Sequence, residues 1–299
     1  MRNARSNADL FTDRFDAWCT HLEATKTGVT PYQYQRVILQ LRDFYQDVDM
    51  WKLGLGELET FTVRLRTRAQ RKPSLWTMRR EQVVLRSFFT FCSKRFKAPN
   101  PAEGLEVIAL PAGLPKPIPA AWIDRAIRAE RNITNRLILE LGADAGLRRE
   151  GIRTLDWSDV DLGETWGSVE VVEKGNRERS IPITGRLLKD LRRHRGASQT
   201  TQDEEGVGHS YVLARRDGRP LNRDDITQRA VQAFIRVGYE GATVHRLRHS
   251  FVTALFQSGV DARTVQELAG HASLETTQRY AEVAKKAKKD AIHILNGRA

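Results

Sequence analysis

The stretch TVHRLRHSFVTALFQSG, residues 243–259, carries the strongest local pattern in the chain. Leu247 and Phe251 lie four positions apart, which is the spacing of one face of an α-helix. His245 and Arg248 are three positions apart, so the helix presents them one turn apart on a common face. Basic groups on a helix that an apolar face anchors are suited to bind a phosphate. A helix surface that is merely basic is the alternative at this point.

Downstream, residues 265–283 read VQELAGHASLETTQRYAEV. Gly270 is expected to end one helix, and Ser273 is expected to cap the next one. Tyr280 lies on that second helix among polar neighbours, nine positions after His271 (280 − 271 = 9). Such a tyrosine is not required for packing. A nucleophilic hydroxyl is therefore one interpretation, although most tyrosines are structural.

Upstream, two further strings contain candidate cations. In LGADAGLRREGIRTLDWSDVDL, residues 141–162, Gly146 is expected to end a helix just before Arg148. In VVEKGNRERSIPI, residues 171–183, Lys174 lies at the tip of a predicted hairpin. Taken singly, each is as well explained by an ordinary surface charge.

Prolines divide the chain. Four of them occur in the segment 111–119, which can form neither a helix nor a central strand. We predict a helical domain over 1–110, an extended linker over 111–119 and a second domain over 120–299.

The second domain is predicted to be mainly helical with one small antiparallel sheet, which gives a mostly α (α+β) fold. Val- and Ile-rich segments 168–172 and 179–183 predict the two strands of the hairpin. Polar residues 196–208 predict a loop. Apolar periodicity predicts helices over 120–129, 134–145, 187–195, 223–237, 244–258, 262–268, 274–283 and 285–295.

The first domain is predicted to hold helices over 9–25, 32–45, 58–71 and 75–95. From Arg64 to Arg95 the last two are dense in cations, against the single acid Glu81. A solvated helix face normally mixes both signs of charge, so these cations favour phosphate contact over a plain surface. They are Arg64, Arg66, Arg68, Arg71, Lys72, Arg79, Arg80 and Arg86.

Composition narrows the class of protein. The 299 residues carry a formal net charge of +12, and 40% of them are hydrophobic, so the chain folds and favours a polyanionic partner. The two cysteines, Cys19 and Cys92, fit no metal site and suit a reducing compartment. Neither a signal peptide nor an apolar run of about 18 residues is present, so we expect no membrane span and a cytoplasmic location.

Taken in order, the motifs Arg, Lys, His-x-x-Arg, Gly-His and Tyr resemble the catalytic pattern of the tyrosine recombinases. This is also called the phage integrase family, and it includes the Xer recombinases. The resemblance covers about residues 117–284, with LRH after Arg246 and TTQRY ending at Tyr280 as supporting text. The catalytic pattern of the family falls on Arg148, Lys174, His245, Arg248, His271 and Tyr280.

The resemblance implies a site-specific DNA recombinase that needs no metal and no cofactor. Tyr280 would attack the DNA backbone to form a 3′-phosphotyrosyl link, while Arg148 and Arg248 hold the phosphate. His271 would donate a further hydrogen bond, Lys174 would protonate the 5′-oxygen, and His245 would be the acid/base partner of Tyr280.

The resemblance also implies how the protein assembles. The partner would be double-stranded DNA with a specific target site, bound by a homotetramer that exchanges strands through a Holliday junction. Free of DNA, the protein would be a monomer or a dimer. Residues 1–110 would form the core-binding domain, and 120–299 the catalytic domain with a C-terminal tail helix that docks on a neighbour or on its own domain.

One departure from the family pattern stands out. Members carry an acid three residues after the first arginine, where this chain has Gly151, and Glu150 lies one position early. The acid that accompanies the first arginine in the family therefore has no counterpart at position 151 next to Arg148.

Two other functions compete. The first is a non-catalytic helix-turn-helix regulator, because residues 263–283 have a helix, a glycine-containing turn and a helix. The second is a type IB-like topoisomerase that relaxes supercoils as a monomer.

Overall fold

The computed structural model describes residues 7–25, 30–46, 48–65, 71–110, 113–173, 177–205, 210–271 and 273–282. The chain divides into two compact units, Met1–Ala112 and Gly113–Ala299. The division falls inside the proline-rich segment 111–119. Over the described ranges the fold is mostly helical with one three-stranded antiparallel sheet, so the predicted fold class is confirmed.

The first unit is built on four helices. They are α1 (Asn7–Thr25), α2 (Thr30–Phe44), α3 (Leu55–Val63) and α4 (Leu75–Phe96). Helix α4 packs against the other three, and its buried face carries Phe88 and Phe89. Ser74 is the N-cap residue of α4, and its hydroxyl accepts a hydrogen bond from the Thr77 amide at 3.2 Å.

Helix α3 is shorter than the predicted range 58–71, because it ends at Val63. Arg64 follows that end, and its guanidinium donates to the Phe61 carbonyl of the last turn. The same guanidinium lies 3.3 Å from the centre of the Phe61 ring and 3.2 Å from the Glu81 carboxylate. The Arg64 side chain therefore satisfies a carbonyl at the C-terminal end of α3, an interaction that periodicity alone does not predict.

The second unit is centred on α6 (Ile133–Ala143), which packs against five other helices and most extensively against α10 (Val244–Gln257). In chain order its helices are α5 (Ala120–Ala129), α6 (Ile133–Ala143), α7 (Arg149–Thr154), α8 (Gly185–Glu205), α9 (Arg223–Ile235), α10 (Val244–Gln257), α11 (Ala262–Ala269) and α12 (274–282). The predicted helix over 285–295 lies outside the described residues.

The sheet has the order β1 (Val160–Asp161), β2 (Gly167–Glu173) and β3 (Arg177–Ile183), with all pairs antiparallel. The predicted hairpin is present as β2 and β3, with Val169 opposite Ile181. Strand β1 was not predicted, because two residues are too short to show an alternating pattern. Residues 174–176, at the hairpin tip, lie outside the described ranges.

Helix α8 corrects the predicted loop over 196–208, because it continues through Gly196 to Glu205. A single glycine inside a helix costs only about 1 kcal/mol relative to alanine. The residues that follow it contain no proline, so one glycine does not stop the helix.

Residues 113–119 belong with the second unit, although the sequence predicted an extended linker there. Ile118 is 2% exposed, and its amide donates to the Ser250 hydroxyl at 2.7 Å. The Arg246 guanidinium donates to the Lys116 carbonyl at 3.0 Å. This stretch is therefore extended but fixed on α10.

Among the residues that the structure describes, no helix is long and apolar enough to cross a membrane.

Candidate active site

Arg148 is positioned by the turn between α6 and α7. Gly146 takes a left-handed conformation (φ +62°), and a Cβ there would lie 2.3 Å from the Phe251 ring, so no other residue fits without rearrangement. Arg148 follows as the N-cap residue of α7. Its guanidinium donates to the Gly270 carbonyl at 3.4 Å.

Arg248 joins the Gly146 turn to the end of α11. It is only 2% exposed, and it donates to the Gly146 carbonyl at 2.6 Å and to the Ala269 carbonyl. The Thr243 side chain caps α10 and so sets where this helix begins. The predicted pairing of His245 and Arg248 on one helix is therefore present, with Arg248 deeply buried.

His271 follows the left-handed Gly270 that ends α11. Its Nδ1 atom lies 2.9 Å from the Thr277 hydroxyl on α12, which leaves Nε2 for a second partner. Ser273 caps α12 as predicted, because its hydroxyl accepts from the Thr276 amide at 3.4 Å. The cap and the Thr277 contact fix the imidazole relative to α12.

Tyr280 is 5% exposed and belongs to a small core cluster with Phe251, Val252, Val265 and Ala269. The interpretation that it is not required for packing is therefore wrong. Its polar sequence neighbours were misleading, because α12 turns this one ring toward α10 and α11. Packing against this cluster therefore fixes the position of Tyr280, the candidate nucleophile.

Two imidazoles contact the Tyr280 ring. The His271 ring centre lies 5.6 Å away at an interplanar angle of 21°, and the His249 ring centre lies 5.4 Å away at 31°. His245 contacts His249 edge-on at 4.4 Å. The α10 ring in contact with the tyrosine is thus His249, and His245 in turn contacts His249.

Arg179 and His249 are the residues that sequence reasoning missed. Arg179 lies on β3, two positions before the buried Ile181, so strand alternation turns it toward the interior. An arginine on the apolar face of a strand was the available signal. His249 lies one turn after His245 on α10, and the helical spacing that linked His245 to Arg248 also points to it.

The arginines of the site are electrostatically unfavourable for one another. Burial, then Arg248 and Arg179, lower the pKa of Arg148 to about 10. Burial and Arg248 lower the pKa of Arg179 to about 9, and burial lowers that of Arg248 to about 10. All three remain charged at neutral pH, so the site is a concentrated positive charge that favours an anion.

The same field keeps the histidines neutral. Burial, followed by Arg248 and Arg148, lowers the pKa of His271 to about 3, and burial lowers that of His249 to about 4. Burial also lowers the pKa of His245. Burial raises the pKa of Tyr280, and nearby arginines oppose that rise. A neutral tyrosine therefore lies beside two neutral imidazoles.

The comparisons with known proteins agree with this geometry. The phage integrase family matches residues 121–287. Tyrosine recombinase XerC of Chlamydia trachomatis serovar L2 is 30% identical over 261 residues, which cover 84% of this chain and 81% of the relative. The corresponding XerC of Neisseria meningitidis serogroup C is 30% identical over 290 residues and covers 92% of both chains.

The chain belongs to the phage integrase family. It is a tyrosine-type site-specific recombinase of the Xer kind, and neither the helix-turn-helix regulator nor the topoisomerase is favoured. In solved structures the fold matches XerH site-specific recombinase bound to its difH substrate, with a TM-score of 0.73 at 18% identity over 98% of this chain and 86% of that one. It also matches a lambda integrase dimer bound to a core site, with a TM-score of 0.67 at 17% identity over 88% of this chain and 95% of that one.

The family's supporting acid is absent from this chain, and Glu150 does not replace it. The Glu150 carboxylate pairs with Arg153 at 2.7 Å and with Arg223 at 2.6 Å. A Cβ at Gly151 would meet only the Leu147 side chain, at 3.9 Å or more. The space for a side chain therefore exists, but Arg148 is held by the end of α11.

The predicted site residues fall into three groups. Arg148, Arg248, His271 and Tyr280 come together, with His245 next to them through His249. Lys174 lies outside the described residues, in the sequence between β2 and β3. Arg179 lies on the described strand β3. The cations of the first unit form the third group, and none of them is tested by a bound ligand.

Within that third group, two arginines are engaged internally. Arg64 pairs with the buried Glu81, and the Arg79 guanidinium donates to the Ile108 carbonyl. Four others have exposed side chains, and Arg66 and Arg68 lie outside the described residues; the exposed four are Arg71, Lys72, Arg80 and Arg86. Arg86 shares a surface groove with Lys94 and Arg95, which sequence reasoning did not single out.

Proposed function

We propose that Tyr280 cleaves double-stranded DNA at a specific site and that the same residue allows the strand to be rejoined. The observation that carries this proposal is the buried Tyr280 ring in contact with the His249 and His271 rings and close to Arg148 and Arg248. The Tyr280 oxygen would bond to phosphorus as the bond to the 5′-oxygen breaks. The products are a 3′-phosphotyrosyl link and a free 5′-hydroxyl.

The proton balance of this step requires one base and one acid. The hydroxyl of Tyr280 is neutral at physiological pH, so it must lose a proton as it attacks. The neutral imidazole of His245 accepts that proton, His271 donates a hydrogen bond to the phosphate, and Lys174 donates a proton to the departing 5′-oxygen. Because the link retains the phosphodiester bond energy, a 5′-hydroxyl of another strand can reverse the step without ATP.

Arg148 and Arg248 would stabilise the transition state, in which the phosphate gains negative charge. Their guanidiniums are already oriented by hydrogen bonds to Gly270, Gly146 and Ala269. Preorganised donors lose little energy to rearrangement at the moment of reaction. This supports a role for them in cleavage that exceeds their role in binding DNA.

The exposed cations of the first unit would contact the DNA backbone. Arg71, Lys72, Arg80 and Arg86 are the strongest candidates, whereas Arg64 and Arg79 are better explained as structural. Each phosphate contact releases counterions, so site binding should weaken steeply with salt. Four protomers would exchange strands in pairs through a Holliday junction, in the cytoplasm.

The proposal is tested with a suicide DNA substrate, in which the cleaved strand loses a short fragment and cannot be rejoined. Wild-type protein should form an adduct that survives denaturant, and Tyr280→Phe should form none. Tyr211→Phe is the matched control within the same unit and should react like wild type. An adduct from Tyr280→Phe at the wild-type rate would assign the nucleophile to another residue.

A second assay tests the recombination step. Wild-type protein mixed with two DNA molecules, each bearing the target site, should yield strand-exchanged products and Holliday junctions. Relaxation of supercoiled DNA without any exchange would contradict the tetrameric pathway.

A further inference from the structure

Three arginines from separate elements meet at the C-terminal end of α11. Arg179 of β3 donates to the Leu268 carbonyl, Arg248 of α10 to the Ala269 carbonyl, and Arg148 to the Gly270 carbonyl. The three acceptors are consecutive in the sequence. One helix end therefore brings together three guanidiniums that are far apart in the chain.

The physical reason lies in how a helix ends. The last carbonyls of an α-helix have no amide partner within the helix, and the C-terminus carries partial negative charge. At the end of α11, the Gly270 and His271 amides turn back to Gln266 and Glu267. The carbonyls of residues 268–270 are then satisfied by arginine side chains.

We propose that Arg179 supplies a third positive charge to the phosphate at the cleavage site, next to those of Arg148 and Arg248. This inference rests on the recombinase function proposed above and extends its site to strand β3. Arg179 also lines a cavity of about 540 Å³ together with Gly270 and His271. His271 is therefore common to this cavity and to the residues that would hold the phosphate.

The electrostatics are those of a site built for an anion. Arg179 contributes to the lowered pKa of both Arg148 and His271. A Leu268 carbonyl could be satisfied by any neutral donor, whereas burying a guanidinium beside two others is unfavourable. A phosphate relieves that repulsion, and it does so most strongly in the transition state, when its negative charge is greatest.

The experiment compares Arg179→Gln, Arg179→Lys and Arg263→Gln. Glutamine keeps a donor but removes the charge, whereas lysine keeps the charge. Arg263 is the matched control, because it lines the same cavity but is 78% exposed and pairs with Glu267 at 3.0 Å. Site binding is measured by fluorescence anisotropy, and cleavage by single-turnover adduct formation.

Arg179→Gln should slow cleavage by about 10- to 100-fold, as loss of a transition-state donor does, while site binding changes less than about threefold. Arg179→Lys should retain more activity than Arg179→Gln, and Arg263→Gln should match wild type. Wild-type cleavage by Arg179→Gln, or equal losses from glutamine and lysine, would overturn the proposal.

The pH dependence of cleavage by Arg179→Lys is a second measurement, which a purely structural role of Arg179 would not change. A lysine buried beside Arg248 has a lowered pKa, so its cleavage should decline at a lower pH than that of wild type. This comparison decides the question if Arg179→Gln does not fold. A profile identical to that of wild type would overturn the proposal.

Inorganic phosphate provides a test that requires no recombination. At constant ionic strength, phosphate should raise the melting temperature of wild type more than that of Arg179→Gln. An equal rise in both proteins would count against a third charge. If wild type forms no adduct but the phosphate effect depends on Arg179, the proposed function fails and the anion site stands.

Discussion

Two clusters in the second unit, one around Arg186 and one of three arginines, shift the pKa of their arginines in opposite directions. Arg186 donates to Asp144 at 2.7 Å and to Asp124 at 2.6 Å, and these hydrogen bonds raise its pKa. Arg148, Arg179 and Arg248 donate to backbone carbonyls, and burial lowers the pKa of all three, with Arg248 lowering those of Arg148 and Arg179 further. The first cluster is already neutralised, whereas the second retains charge for a ligand.

The difference shows how to separate a structural arginine from a functional one. A carboxylate partner fixes an arginine and also cancels its field. A carbonyl partner fixes the side chain but leaves the full charge in place. Changes in the two clusters should therefore affect different measurements.

The largest expected effect is on cleavage, from Arg248→Lys. Lysine cannot reproduce the two-directional donation to the Gly146 and Ala269 carbonyls, so the charge would be misplaced. We expect adduct formation to slow by about 100-fold or more, with site binding nearly unchanged. Arg186→Lys is the matched control and should cleave normally; equal loss in both variants would remove the distinction between the clusters.

A smaller effect, on stability, is expected from Arg186→Gln. Its two ion pairs are partly exposed, with Arg186 itself 38% exposed, so together they contribute only about 1 kcal/mol to the free energy of unfolding. The melting temperature of this unit should fall by about 2–4 °C, while the cleavage rate stays that of wild type. A clear loss of cleavage without loss of stability would give Arg186 a functional role.

The last prediction is a pH-dependent change in stability at Glu140, whose carboxyl is fully buried near Arg186. Burial, then Asp190 and Asp144, raise its pKa to about 8. Because the folded pKa exceeds the unfolded value, the stabilisation is complete below about pH 4.5 and is lost as pH rises toward 8. Glu140→Gln mimics the protonated form, so it should raise stability at pH 7.

Urea unfolding of wild type and Glu140→Gln at several pH values checks this sign. The advantage of the variant should shrink as pH falls toward 4.5. A constant difference between pH 4.5 and 8 would mean that Glu140 does not change its protonation on folding.

Some features of the site followed from local pattern. The helical spacing in residues 243–259 placed His245 and Arg248 on one helix, and the Gly270-His271 turn placed α12 after α11. Glycine at position 146 marked the turn before Arg148. These features depend on backbone preferences over a few residues, and such preferences can be predicted from the local sequence.

Other features depend on partners that are distant in the chain. Arg179 is 89 residues from its acceptor Leu268, so no local pattern could reveal the contact. The Arg64 guanidinium likewise pairs with Glu81, 17 residues away, and no local pattern predicts that contact.

The sequence by itself determined the mostly helical fold, the hairpin and the ordered set of residues that resembles the recombinases. Each of these rests on periodicity, turn chemistry or residue order, which are local or one-dimensional. Only the tertiary structure decided that Tyr280 is buried in contact with two imidazoles and that the end of α11 gathers three arginines. Burial and long-range hydrogen bonds arise when separate elements pack together, and that packing also sets the charge of the site.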